Sequence, residues 1–153
     1  MNNYDKNDFM KGEIAIMVTP REDNKKVSEE KITSHINFLQ ENGVTKENGA
    51  IVVTGSIGEC ATLSTKERFT VWEQSVKASD GEAPIIAGIN HTDPDQVVEM
   101  GEKAEELGAD GVMIMTPYYW APSKRSVLDF FHKIIPQIKL PIMLYNNIPA
   151  TQM

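Results

Sequence analysis

The sequence has 153 residues, 41% hydrophobic and 24% charged, with a net charge of −7. That is the composition of a globular domain with a core, and its acidity disfavours non-specific binding to nucleic acid or an anionic membrane. The single cysteine, Cys60, excludes an internal disulfide and a cysteine metal cluster.

Residues 14–18 form the first apolar run, closed by Thr19-Pro20. Consecutive apolar positions imply burial on both faces, as in a parallel sheet. Ser28 opens a helix with Glu29 and Glu30 in its first turn, where the helix dipole favours acids. Ile32, Ile36 and Leu39 mark its buried face and Gly43 its end. The second strand spans 50–53 and leads into Thr54-Gly55-Ser56-Ile57-Gly58-Glu59. Ser64 and Glu67 predict a capping box on the next helix, whose apolar face carries Phe69, Trp72 and Val76.

A third strand is expected over 84–89. Asp93, Pro94 and Gln96 predict an N-cap, a proline at the first helical position and a second capping box. Val97, Met100, Ala104 and Leu107 supply the stripe, and Gly108 ends it. The fourth strand, 111–115, runs into Thr116-Pro117-Tyr118-Tyr119. Ser123 caps a fourth helix with apolar positions at Val127, Leu128, Phe131 and Ile135, and with Pro136 as its stop. The fifth strand is 141–145, followed by the loop Asn146-Asn147-Ile148-Pro149.

Strands and helices thus alternate, which predicts a parallel sheet with right-handed crossovers. No linker, low-complexity stretch or second domain interrupts residues 1–153. The first strand–helix turn lacks the G-x-G-x-x-G of dinucleotide-binding folds. The N-terminus, MNNYDKNDFMKGE, has no apolar core of a signal peptide, and no apolar run nears the ~18 residues of a membrane span. A cytoplasmic location is expected, in keeping with one unpaired cysteine.

In parallel α/β folds, functional loops sit at the carboxyl ends of the strands. That rule selects Ser56, Gly58 and Glu59, then Tyr118 and Tyr119, then Tyr145, Asn146 and Asn147. Hydroxyls and phenols both donate and accept protons, so such a set can form a relay. Each residue also has a structural role open to it: Tyr145 as a strand-end aromatic, the tyrosine pair as rim packing, Ser56 as a turn residue, Glu59 as a partner for loop amides. Cys60 reads as a small packed side chain. His35 and His132 fall inside helices, and His91 lies in the loop after the third strand. No cluster has metal-ligand spacing, and Gly55–Gly58 lacks the lysine of a phosphate loop, so neither metal nor cofactor is expected.

The segment Gly55-Ser56-Ile57-Gly58-Glu59-Cys60-Ala61-Thr62-Leu63-Ser64 resembles the G-[ST]-x-G-E-x-x-x-L-[ST] signature of the dihydrodipicolinate synthase / N-acetylneuraminate lyase family. Thr116-Pro117-Tyr118-Tyr119 is similar to its TPYY loop, Tyr145-Asn146-Asn147-Ile148-Pro149 to its YN-x-P loop, and Val18-Thr19-Pro20 to the close of its first strand. Together they cover residues 13 to 151 in the family order.

The resemblance implies the N-terminal portion of a TIM (β/α)8 barrel, about five strands and four helices, of the roughly 250 residues such a barrel needs. It implies a lyase of the class I aldolase type. A strand-six lysine would form a Schiff base with pyruvate or another 2-oxo acid. Tyr145 would shuttle protons, Ser56 would relay to it, and Tyr119 would complete the relay, donated across a dimer interface of a homo-oligomer. The loop Gly55, Ser56, Ile57 and Gly58 would hold the carboxylate on backbone amides, which suit an anion.

Three departures stand out. Ile57 occupies a position where synthases often carry threonine. Ala150 and Thr151 follow Pro149 where the strict synthase has an arginine, and the Tyr145–Pro149 loop is one residue longer than usual. The Schiff-base lysine has no counterpart: Lys11 and Lys139 precede strands, while Lys25, Lys31, Lys66, Lys77, Lys103, Lys124 and Lys133 belong to helices or outer loops. A fragment inactive alone is expected. The other reading is a non-catalytic half-barrel that pairs with another copy or chain, since an open sheet leaves exposed edges.

Overall fold

Five β-strands and five α-helices alternate through residues 12–151, the part that the computed structural model describes. They are β1 (Glu13–Ile16), α1 (Glu29–Glu41), β2 (Gly49–Val53), α2 (Thr65–Ser79), β3 (Ile85–Gly88), α3 (Pro94–Glu106), β4 (Gly111–Met115), α4 (Lys124–Ile134), β5 (Ile142–Tyr145) and α5 (Ile148–Thr151). The strands pair in parallel in the order β1-β2-β3-β4-β5. A strictly sequential order is that of a barrel wall; a doubly wound sheet would reverse direction partway.

Side chains alternate across each strand, and here the two faces have different fates. Ile51, Val53, Ile85, Ala87, Val112 and Ile114 face the helices and join Ile32, Ile36, Trp72, Val97 and Met100 in one large core. Ala50, Val52, Ile86 and Met113 form a smaller cluster on the opposite, inner face, with Ile14, Met143 and Tyr145 packed against it. The outer strands are less well covered. Ile16, on the inner face opposite Val52, is 46% exposed, and Leu144, on the helix face opposite Ile114, is 60% exposed.

Local sequence signals explain most boundaries. The Ser28 hydroxyl accepts the Lys31 amide, Ser123 accepts the Ser126 amide, and Ser64 and Glu67 complete their reciprocal capping box. Gly43 (φ 97°) and Gly108 (φ 86°) take the left-handed turns that follow α1 and α3.

Four expectations need correction. β1 ends at Ile16 rather than at 18, because Thr19 turns away to donate its hydroxyl to the Gly58 carbonyl at 2.7 Å. The second capping box does not form: Asp93 accepts the Asp95 amide, but the Gln96 side chain reaches Glu99 instead. The buried face of α4 carries Phe130 and Ile134, whereas Leu128 and Ile135 are 54% and 42% exposed. At about 100° per residue, Ile134 lies nearly above Val127, and Ile135 is rotated well off that line. Finally, the loop after β5 winds into the short helix α5 from Ile148 onward.

Candidate functional site

The loops after β2, β4 and β5 meet at the carboxyl edge of the sheet around a cavity of about 400 Å³. Ser56, Cys60, Met115, Tyr118 and Asn147 are among the residues that line it.

Thr54 sets the course of the first of these loops. It adopts a left-handed backbone (φ 52°), a conformation unfavourable for a β-branched residue and sustained only by surrounding contacts. Those contacts are present: the Trp72 indole donates to Thr54 Oγ1 at 2.7 Å, and Oγ1 donates to the Gly88 carbonyl at 3.1 Å. Further along, a Cβ on Gly58 would lie 3.0 Å from the Thr54 backbone and 3.1 Å from the Met17 carbonyl, so a larger residue would fit only if the loop shifted by a few tenths of an ångström. Glu59, again left-handed, closes the turn by donating to the Ser56 carbonyl at 3.1 Å, and the Cys60 amide donates to the Gly55 carbonyl at 3.2 Å. The amides of Ser56, Ile57 and Gly58 donate to no protein acceptor among the described residues. Ser56 and Ile57 are exposed, so their N–H groups remain open to an anion.

Arg21 braces the outside of this loop. Its guanidinium lies 3.3 Å from Glu67 and 3.9 Å from Glu59. Hydrogen bonds from the Ser64 hydroxyl and amide hold the Glu67 carboxyl below the usual range, with Arg21 adding to them.

Tyr145 closes β5 opposite Met115 and packs on the inner sheet face. It shares the carboxyl edge with Ser56, and no hydrogen bond joins the two among the described residues. Asn147 makes the link instead. Its Nδ2 donates to Ser56 Oγ at 3.3 Å, while its Oδ1 accepts the Ala150 amide and its carbonyl accepts the Thr151 hydroxyl. The two tyrosines after β4 diverge. Tyr118 lines the cavity, whereas Tyr119 (φ 80°) stands 75% exposed, edge-on to Trp120 at 4.8 Å between ring centroids. Ile57 is 56% exposed, and Gly55 is buried beneath Met113. His91 is occupied locally, its Nδ1 accepting the Asp93 amide at 3.0 Å. No lysine among the described residues is buried or lines the cavity.

Behind the cavity wall lies a buried polar set that sequence reasoning missed. Arg68 donates to the carbonyls of Cys60 and Asn90, and Asn90 Oδ1 accepts the Met115 amide at 2.7 Å. A signal existed: Arg68, Trp72, Ser75 and Ser79 fall on one buried line of α2.

Residues 9–152 match the dihydrodipicolinate synthetase family. The chain is 38% identical over 130 residues to the 4-hydroxy-tetrahydrodipicolinate synthase of Bacillus subtilis (strain 168), covering 85% of this chain and 43% of that protein. Among solved structures, a dihydrodipicolinate synthase from Bacillus anthracis superposes with a TM-score of 0.86 at 36% identity, over 93% of this chain and 48% of that one. The dihydrodipicolinate synthase of Acinetobacter baumannii, solved with pyruvate, gives a TM-score of 0.87 at 29% identity, over 94% of this chain and 48% of its own. The chain therefore spans about half the length of the proteins it matches.

Proposed function

This chain belongs to the dihydrodipicolinate synthetase family, and from that premise we propose that residues 1–153 supply one half of an aldolase site for pyruvate or another 2-oxo acid. The observation that carries the reading is the junction of loops at the carboxyl edge. Asn147 and Ser56, 91 positions apart, meet beside amides that have no protein acceptor among the described residues. A substrate carboxylate fits those amides, with the keto carbon directed into the cavity. The presence of pyruvate in the A. baumannii relative supports the substrate class.

In this reading a lysine amine adds to the keto carbon, giving a carbinolamine that loses water to a protonated Schiff base. Protons must reach and leave the carbinolamine oxygen, and Tyr145 and Ser56 serve as donors and acceptors. Asn147 Nδ2 donates to Ser56 Oγ, which leaves the hydroxyl proton free to point elsewhere. Tyr119 projects outward, as suits a residue lent to the site of a second subunit in an oligomer. Among the described lysines, Lys31, Lys103, Lys133 and Lys139 pair with carboxylates, and the others are exposed. In this reading the nucleophile comes from outside residues 12–151, and the strand-six lysine is the group that would complete the site.

A second reading rests on the exposure of Ile16 and Leu144 on the two outer strands. It takes the chain as a non-catalytic half-barrel that associates with a second copy or another chain. A discrete dimer on size exclusion would favour it. Treatment with pyruvate and borohydride, followed by mass measurement, tests the enzymatic reading. No adduct is expected on this chain alone, and an adduct is expected once a second half carrying the strand-six lysine is supplied. Tyr145→Phe should then slow turnover by roughly 10²–10⁴-fold. A stoichiometric adduct on a lysine within residues 12–151 would overturn the assignment.

A further inference from the structure

Arg68 carries a charge that its surroundings do not balance. Its side chain is buried, at 4% exposure, and its Nε has no hydrogen-bond partner among the described residues. No carboxylate pairs with it among the described residues. Two acids of the β2–α2 segment are engaged elsewhere: Glu67 by Ser64 and Arg21, and Glu59 beside Arg21. A lone buried guanidinium is costly. The first turn of α2 adds to that cost, because the helix dipole disfavours a cation there.

Arg68 does bind two carbonyls, Cys60 from Nη2 and Asn90 from Nη1, the latter at 2.8 Å. Cys60 lines the cavity. So does Met115, whose amide is accepted by Asn90 Oδ1. The guanidinium thus sits one hydrogen bond behind the cavity wall, on the protein side, where solvent and salt screen its field weakly.

We propose that Arg68 makes this cavity selective for an anionic ligand. It supplies the positive charge behind the wall, and its two carbonyl bonds hold the ends of the β2 and β3 loops in place. The proposal rests on the reading of the cavity as a 2-oxo acid site and names the residue that sets its preference for the carboxylate. Arg68 acts through Cys60 and Asn90 and is therefore a positioning residue.

The experiment titrates the ¹⁵N-labelled 153-residue chain with pyruvate and, separately, with its neutral amide, reading the Ser56, Ile57 and Gly58 amide resonances. Pyruvate should bind about tenfold more tightly than the amide. Arg68→Met should abolish that preference. Asn90→Asp keeps the acceptor for the Met115 amide and adds a carboxylate on the residue whose backbone carbonyl Arg68 binds, so it should also remove the preference, with the amide spectrum showing whether the fold is kept. Arg68→Lys should retain part of it. On the unmodified chain the preference should persist in 0.5 M NaCl, roughly the concentration at which a fully exposed charge is largely screened. Absence of any shift with either ligand would sink the 2-oxo acid reading itself. A tenfold preference that survives Asn90→Asp, or that vanishes in salt without any substitution, would overturn the role given to Arg68.

Discussion

The two edges of the sheet obey different rules. At the amino edge, polar groups find partners. Ser79 binds Ala83, the Gln40 amide donates to the Ser79 carbonyl at 2.9 Å, and Asp110 accepts the Ile85 amide at 2.9 Å. Among the described residues, four of the five non-glycine positions with positive φ lie at the carboxyl edge: Lys25, Thr54, Glu59 and Tyr119. Arg68 Nε and Thr116 Oγ1, two of the three buried side-chain polar atoms without hydrogen-bond partners among the described residues, are there too, and the third, Ser75 Oγ, lies within α2. Both edges terminate the same strands, so strand chemistry does not cause the difference. One edge is arranged for pairing, and the other tolerates strain and an unbalanced charge around a cavity, the pattern expected where function resides.

Substitutions at each edge test this contrast. The largest stability loss is expected at the amino edge. A methyl group on Gly49 would overlap the Glu13 carbonyl oxygen where β1 and β2 pair. Gly49→Ala should cost about 3 kcal/mol in denaturant unfolding, the upper end for forced overpacking. A carboxyl-edge change follows. Thr54→Val removes the acceptor for the buried Trp72 indole and the donor to Gly88, and should cost about 2 kcal/mol. If Thr54→Val proved the more damaging of the two, the contrast between edges would fail.

Asp110 offers a smaller effect. Burial raises its pKa, partly offset by the Ile85 amide. An acid whose folded pKa is raised binds a proton more readily in the folded state. Stability should therefore fall as pH rises from the ordinary aspartate range through the folded pKa. Asp110→Asn should flatten that slope, by less than about 1 kcal/mol given its partial exposure. An unchanged pH profile of the melting temperature would refute it. The smallest stability effect belongs to Ser56→Ala, which should stay within about 0.5 kcal/mol of the parent. The same substitution should nevertheless alter the ligand-induced shifts of the loop amides.

Elements were legible in this sequence wherever a local signal decided them. Ser28, Ser64 and Ser123 marked helix starts, Gly43 and Gly108 marked helix ends, and apolar runs marked strands, because each acts through its immediate neighbours. The face of α4 was misjudged because Leu128 and Ile135 are apolar yet lie off the buried line, and hydrophobicity alone does not fix the phase. Asp93 and Gln96 matched a capping box in spacing, but Glu99 competed for the glutamine amide. At the site, the carboxyl-edge rule found Ser56 and Tyr118, and the cavity gathers both. Arg68 was missed because a Lys-Glu-Arg run reads as a solvated helix face. Its burial arises from carbonyls 8 and 22 positions away. The same rule selected Asn147, but not its contact with Ser56, which depends on how two distant turns meet.

The hydrogen bond from Trp72 to Thr54 gives the protein an optical reporter. Trp72 is fully buried and bonded to the residue from which the β2 loop turns, whereas Trp120 is 76% exposed on the rim. These are the chain's two tryptophans. An aqueous quencher should silence Trp120 and leave a blue-shifted emission from Trp72 alone. Any ligand or partner that loosens the Thr54 turn would redden that residual light, so movement of the loop can be followed without attaching a dye.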